Sequence, residues 1–306
     1  MDLSARTMRK LAKPMLFAAA LIWGSTFVLI KNTLDAIPPF YLVAIRFTVG
    51  GTVLALTCGK RWKKLTADYI WRGAAVGAFL FLSYVLQTVG LSFTTPSKSA
   101  FFTAVYCVMV PFLTWAVMKV RPDRYNVAAA VLCVAGIGLV SLDEQLALGG
   151  GDLLTLLSAG FCAGNLVAVT CLSRDKDVTL ITVFQFLFTG LYAWVGGALT
   201  ESLSVAALAQ PKVLLPLLYL SVLATAVALL FQNVGMVWSD PSSAAIILSL
   251  ESVLGVIFSI VFYGDPVTVR LVAGFGLVFV GIVCSETKFS FLRRRAKDSM
   301  LDPDGT

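Results

Sequence analysis

Gln87-x-x-Gly90 followed by Pro96-Ser97 returns later in the chain as Gln232-x-x-Gly235 followed by Pro241-Ser242, at an offset of 145 residues. Ala100 maps onto Ala245, and Gly136-Ile137 onto Gly281-Ile282, at the same offset. Both copies lie inside apolar stretches too long for the core helices of a soluble domain, so the repeating unit is a set of membrane spans. If each copy holds an odd number of spans, the second sits upside down relative to the first. Inverted repeats of this kind build many secondary transporters, whose substrate sites lie near the bilayer midplane between the halves.

Composition points the same way. The 306 residues are 58% hydrophobic and 13% charged, far from the balance of a soluble domain. That length suits about ten helices of about 20 residues with short connections. The formal charge of +7 raises nucleic acid as a partner, but the cations sit between apolar runs, where membrane topology accounts for them. All six cysteines lie within or at the ends of apolar segments without a C-x-x-C pair, which reads as free, inert thiols. Histidine is absent, which removes the commonest metal ligand and general base, so no metal, cofactor or catalytic group is expected. Arg6, Arg9, Lys10 and Lys13 precede the first apolar run. That run continues into Trp23-Gly24-Ser25-Thr26-Phe27 with no credible cleavage site, so it reads as an uncleaved span.

The hydrophobic pattern predicts an all-α integral membrane protein with ten spans, at 14–31, 38–58, 69–91, 96–119, 124–142, 152–172, 179–199, 213–237, 241–263 and 267–286. Pro38-Pro39, Pro96, Pro241 and Pro266 stand where helices begin and a missing N–H costs little. Gly73-x-x-x-Gly77 and Gly160-x-x-x-Gly164 offer faces for close helix approach. With the N-terminus inside, 19 Lys and Arg fall on the cytoplasmic side and 4 outside (Lys31, Lys98, Lys212 and Arg270), while Arg46 lies within a span. Both termini are therefore expected in the cytoplasm. The chain divides into a first repeat (1–143), a second repeat (144–288) and a basic cytoplasmic tail (289–306), with Gly149-Gly150-Gly151 near the joint. Two inverted five-helix repeats around a central cavity follow. Spans 1, 3, 4, 6, 8 and 9 are expected to line it, because the midplane polar and aromatic residues fall there, and spans 5 and 10 to be peripheral.

In this order of motifs the chain resembles the ten-helix exporters of the drug/metabolite transporter superfamily, built from two EamA domains. The resemblance rests on Trp23–Phe27, Pro39 with Arg46, Gln87 with Gly90, Ser97–Ala100 and Pro111. In the second half it rests on Leu250-Glu251-Ser252-Val253, Gly264-Asp265-Pro266, and Gly274 with Gly281. The family usually places Pro after the span-9 Glu, where this chain has Ser252, and Gly-Glu where it has Gly264-Asp265. The corner after span 4, Val120-Arg121-Pro122, has no acid. The resemblance implies export of small organic metabolites, amino acids frequently among them, by alternating access across the cytoplasmic (inner) membrane.

Glu251 is the leading candidate for substrate binding or coupling. It lies ten residues into span 9, about 15 Å along the helix and close to the midplane. A charge there costs on the order of 2.5–3.5 kcal/mol, so it should face the interior, either to bind a substrate amine or carry a proton, or to bond a neighbouring helix. Tyr106 is its repeat mate, able to stack on a substrate or simply to pack. Arg46 is placed to grip a carboxylate or to lock helices. Trp23, near the midplane of span 1, suits a cavity wall or a core contact rather than a membrane anchor, and Tyr84 and Asn165, open to the same alternatives, are further candidates for the lining. Gln87 and Gln232, near opposite faces, read as paired gating or helix-to-helix hydrogen bonds. Lys98 either snorkels or serves an outer vestibule. The expected partners are a small-molecule substrate, the bilayer and protons, with a monomeric chain. A membrane-embedded enzyme or a channel or scaffold are the alternatives. The first lacks a nucleophile–base pair or metal set, and the second is more usually a symmetric oligomer.

Overall fold

A computed structural model describes residues 3–141, 149–173, 175–208, 210–239 and 241–288. Among them the regular structure is entirely helical. The long helices are α1 (Leu3–Thr33), α2 (Pro39–Thr57), α3 (Ala67–Ser92), the consecutive α4 (Pro96–Ala104) and α5 (Tyr106–Met118), and α6 (Arg124–Ser141). They continue with α7 (Gly150–Leu172), α8 (Val178–Thr200), a short α9 (Val205–Leu208), α10 (Pro211–Leu218), α11 (Ala228–Trp238), α12 (Pro241–Phe258) and α13 (Val269–Thr287). Seven of these stretches are long and apolar enough to cross a membrane. Arg124–Val140, Ile247–Tyr263 and Val269–Ser285 form three shorter apolar helices. The flanks carry bare apolar side chains such as Leu56, Leu199, Val131 and Phe262, each at least 65% exposed, as a lipid-facing surface requires.

Several starts and stops follow from local chemistry. Pro39, Pro96 and Pro211 each occupy the first turn of a helix. Thr95, Asp177 and Thr268 cap α4, α8 and α13 through their side chains. Pro38 offers α2 no side-chain cap, and Glu201 at the end of α8 supplies one, its carboxylate accepting from the Phe40 N–H at 3.0 Å. α1 begins well before the expected residue 14, because the basic segment continues the same helix. The expected fourth span is divided at Val105. There the Val105 N–H bonds Phe102 O, a tighter turn one winding before Pro111, whose ring crowds the carbonyl four residues back. Two spans change to π winding, at Tyr219–Val227 and Ser259–Tyr263. Gly73 and Gly77 do receive a neighbour closely, from Phe184, Gln185 and Phe188 of α8. The Gly160–Gly164 face differs from expectation, since Gly160 has nothing within 4 Å.

Helix partners recur in pairs. α3 packs on α7, and α1 on α11; α1 packs on α12, and α7 on α4 and α5; α3 packs on α8, and α2 on the π segment Tyr219–Val227. α2 with α8, and α6 with α13, complete the bundle. Side-chain contacts then define two ends. At the first, Lys31 at the end of α1 meets the carbonyls closing α3, while Asp152 at the start of α7 meets Thr94 and Lys98. Asp265, after the second π segment, joins Ser97 there. At the second end, Arg72 at the start of α3 meets Asp175 beyond α7, and Asn126 of α6 meets Ser285 of α13. The expected basic tail and most of the Asp143–Asp152 connection lie outside the described residues.

Candidate functional site

α12 carries Glu251 into the middle of the bundle, and α1 approaches it there. A Cβ on Gly24 would lie 2.8 Å from the Leu254 Cβ and 3.0 Å from the Glu251 carbonyl. Only glycine allows the two backbones this close, so the Trp23–Phe27 motif seats α1 against the acidic helix. Among the described residues, no hydrogen bond or ion pair takes up the Glu251 carboxylate.

The groups that feel its charge come from four other helices: Arg46 of α2, Tyr84 of α3, Tyr106 of α5 and Cys162 of α7. Arg46 is only 3% exposed. Its Nε donates to Thr225 Oγ1 at 2.9 Å, and its guanidinium lies 5.0 Å from the Tyr84 ring centre and 5.7 Å from that of Phe47. Thr225 can serve as acceptor because its own proton goes to Leu220 O, five residues back, a bond that exists only in the π winding. Arg46 and Glu251 thus stand on different spans without pairing with each other. Their mutual field lowers the cost of holding each charge in the membrane, while both keep hydrogen-bonding capacity for a third party.

The free space beside Glu251 is about 10 Å³, room for about one water. Phe27, Ala100, Thr103, Tyr106, Ser249 and Ile282 are among its lining residues. Ile282 belongs to α13, so the last helix is not wholly peripheral as expected: its Gly281 packs on the Ala129 carbonyl and the next side chain turns inward.

The remaining candidates are distributed as follows. Trp23 donates its indole N–H to Ala224 O at 2.7 Å, tying α1 to the π segment. Asn165 donates to Val76 O at 3.0 Å and accepts from Gln185 at 3.2 Å, so its amide is occupied in bonding α3, α7 and α8 together. Gln87 donates to Thr103 at 2.8 Å. Gln232 lies far from it, three residues before Gly235, which packs against Leu16 and Ala12 near the N-terminal part of α1. Lys98 pairs with the buried Asp152 at 3.2 Å. Sequence reasoning missed Thr225 and Cys162. A threonine in an apolar run carries no signal unless the π winding is known, and a thiol reads as packing. None of the six cysteines is in a disulfide.

The molecule is a bundle of apolar, membrane-length helices with charged side chains buried inside it. The chain belongs to the EamA-like transporter family, whose model matches residues 11–142 and 149–287. It is 31% identical over 265 residues to an uncharacterized transporter of Archaeoglobus fulgidus, covering 86% of this chain and 82% of that protein. An uncharacterized transporter of Bacillus subtilis is 26% identical, over 88% and 89% of the two chains. An S-adenosylmethionine/S-adenosylhomocysteine transporter of Chlamydia muridarum is 26% identical over 61% of this chain and 63% of its own length. A protein of known crystal structure shares the fold at a TM-score of 0.64 and 19% identity, over 92% of this chain and 99% of that one.

Proposed function

We propose that this protein is a ten-span carrier of small metabolites bearing both a cationic nitrogen or sulfur and a carboxylate, amino acids or close relatives. It moves them outward across the cytoplasmic membrane by alternating access between two inverted five-helix repeats. The observation that carries the reading is the convergence of an unpartnered Glu251 carboxylate and a buried Arg46 on one site, with Tyr84 and Tyr106 beside them. Glu251 takes the cationic group or a proton, Arg46 forks onto the carboxylate, and the two phenol rings present faces and hydroxyls to the remainder. The Chlamydia relative is named for S-adenosylmethionine, a compound of this charge type, which supports the class without naming the cargo.

The inverted arrangement is supported by the exchange pattern of helix partners, in which the main pairs between the halves, α3 on α7, α1 on α12 and α3 on α8, have counterparts at the repeat offset. It is supported also by α1 ending, and α7 beginning, at the same end of the bundle. The first end is then the outer one, and both termini are cytoplasmic, the protein acting as a monomer.

Counterflow in proteoliposomes loaded with a panel of amino acids, amines, small organic acids and S-adenosylmethionine tests the substrate class. Exchange of zwitterionic compounds above the singly charged ones is expected. A protein that exchanges only simple amines or only simple acids has no use for the opposite charge, and the reading fails. Single-cysteine variants at Gly150 and Ser299 test the orientation, with labelling of the latter from outside intact cells contradicting it.

A further inference from the structure

A second space lies outside the charged site, between α1, α10 with its π continuation, and the end of the α12 span. It measures about 630 Å³ and is lined by Ser25, Val28, Leu29, Asn32, Leu215, Pro216, Tyr219, Phe258 and Phe262, a volume within the range of built ligand sites. It opens sideways: Phe262 and Leu215, on its rim, are 69% and 66% exposed, on the surface a bilayer covers.

Its walls are graded along the membrane normal. Asn32 stands at the first end, next to Lys31, where α1 leaves the hydrocarbon region. Ser25 is seven residues deeper, about 10 Å along the helix. There Ser25 donates to Ile22 O at 2.7 Å and accepts from the Tyr219 hydroxyl at 2.8 Å, which closes the floor with both hydroxyl protons taken. Between these levels the named walls are aliphatic or aromatic. Pro216 lacks the N–H that would continue the regular helix, and the winding of this span changes to π at Tyr219, which sets its path apart from α1 beside the space. The Asn32 amide is exposed and makes no bond among the described residues, at the depth of lipid esters and headgroups.

We infer that this crevice is a binding site for one acyl chain of a membrane phospholipid, entering from the leaflet at the first end, with Asn32 facing the ester level. An apolar crevice open to the bilayer gains nothing from water, and its floor has no free proton to donate to a polar metabolite. A chain from the adjacent leaflet meets the walls over their whole depth. The inference does not depend on what the central site carries.

The test uses the full-length protein in phosphatidylcholine vesicles doped with a phosphatidylcholine that carries a photoactivatable diazirine on its chain. Adducts mapped by mass spectrometry should concentrate on residues 25–32, 215–219 and 258–262. They should be lost in Leu29→Trp, which fills the crevice, and kept in Val134→Trp, which adds the same bulk at another exposed position. Excess unlabelled phosphatidylcholine should compete them away. Adducts spread evenly over the lipid-facing helices of the wild-type protein would overturn the inference, and that result needs no variant to fold. Adducts at the crevice unchanged by Leu29→Trp, or displaced by S-adenosylmethionine but not by phospholipid, would overturn it too.

Discussion

The two ends of this bundle are closed by different physics. At the first end the closing carboxylates are buried. One Asp265 oxygen accepts from the Ser97 N–H at 3.1 Å and from the hydroxyls of Ser97 and Ser259. Asp152, with a side chain only 4% exposed, holds Thr94 and Lys98. Lys31 donates to the carbonyls of Leu91, Ser92 and Thr94. At the second end the pairs stand in water: Arg61 with Asp177, Arg72 with Asp175 and Lys288 with Asp123, each with one partner more than half exposed. Buried acceptors with several donors are expensive to abandon, whereas exposed ion pairs contribute about 0–1 kcal/mol. The first end is therefore held by buried bonds, and the second mainly by exposed pairs beside the buried Asn126–Ser285 bond.

Substitutions at each end can break this contrast. The largest effect is expected from Asp265→Ala, which leaves the buried Ser97 N–H in the first turn of α4 without its acceptor, at a cost of about 1–3 kcal/mol. The thermal midpoint of the detergent-solubilised protein should fall clearly, and Asp265→Asn, which keeps an acceptor, should recover much of it. A wild-type midpoint in the alanine variant would mean that this lock does not hold the first end.

Asp152→Asn should come next, at about 1 kcal/mol, because the Thr94 bond can persist while the pairing with Lys98 is lost. Lys98→Met tests the same pair from the other side. Equal losses in the two single variants, not increased in the double, would show the pair acting as a unit, and additive losses would deny it.

At the second end Asp123 gives a pH signature. The hydrogen bond from Lys288 is the main cause that holds its carboxyl below the usual carboxylate range, with smaller help from the N–H groups of Asn126 and Tyr125. A depressed carboxylate contributes stability that is complete above its unfolded pKa of about 3.9 and lost as pH falls through the lower folded value. The contribution should stay below about 1 kcal/mol, since Lys288 is 56% exposed. Midpoints measured from pH 6 down to pH 3 should therefore converge for wild type and Asp123→Asn only at the acid end. A gap between them that widens toward acid would give the wrong sign for this pair.

Much of the architecture was legible in the sequence because hydrophobic length and proline placement are local signals. The second, third, sixth and seventh expected spans match α2, α3, α7 and α8 to within two residues at each end. Irregular winding was not legible. The π turns at Tyr219–Val227 and Ser259–Tyr263 leave composition unchanged, and within the first of them the Thr225 hydroxyl takes the Leu220 carbonyl. The same limit applies to the site. A glutamate at mid-span and its repeat mate Tyr106 stand out in an apolar run, as does Arg46. Thr225 does not, and its role follows only from a carbonyl five residues back. Asn165 stood out equally, yet its amide is consumed by Val76 and Gln185, since polarity at depth marks a helix clasp as readily as a cavity.

The central claim is that the Glu251 carboxylate is left unpaired because cargo or a proton completes it. Glu251→Gln keeps the shape and cannot ionise, so it separates charge from packing. In proteoliposomes, with a compound that the wild-type protein exchanges, this variant should insert and melt like wild type while its counterflow falls to near background across the pH range. Counterflow at the wild-type rate with an unchanged pH profile would make Glu251 a structural residue and contradict the account.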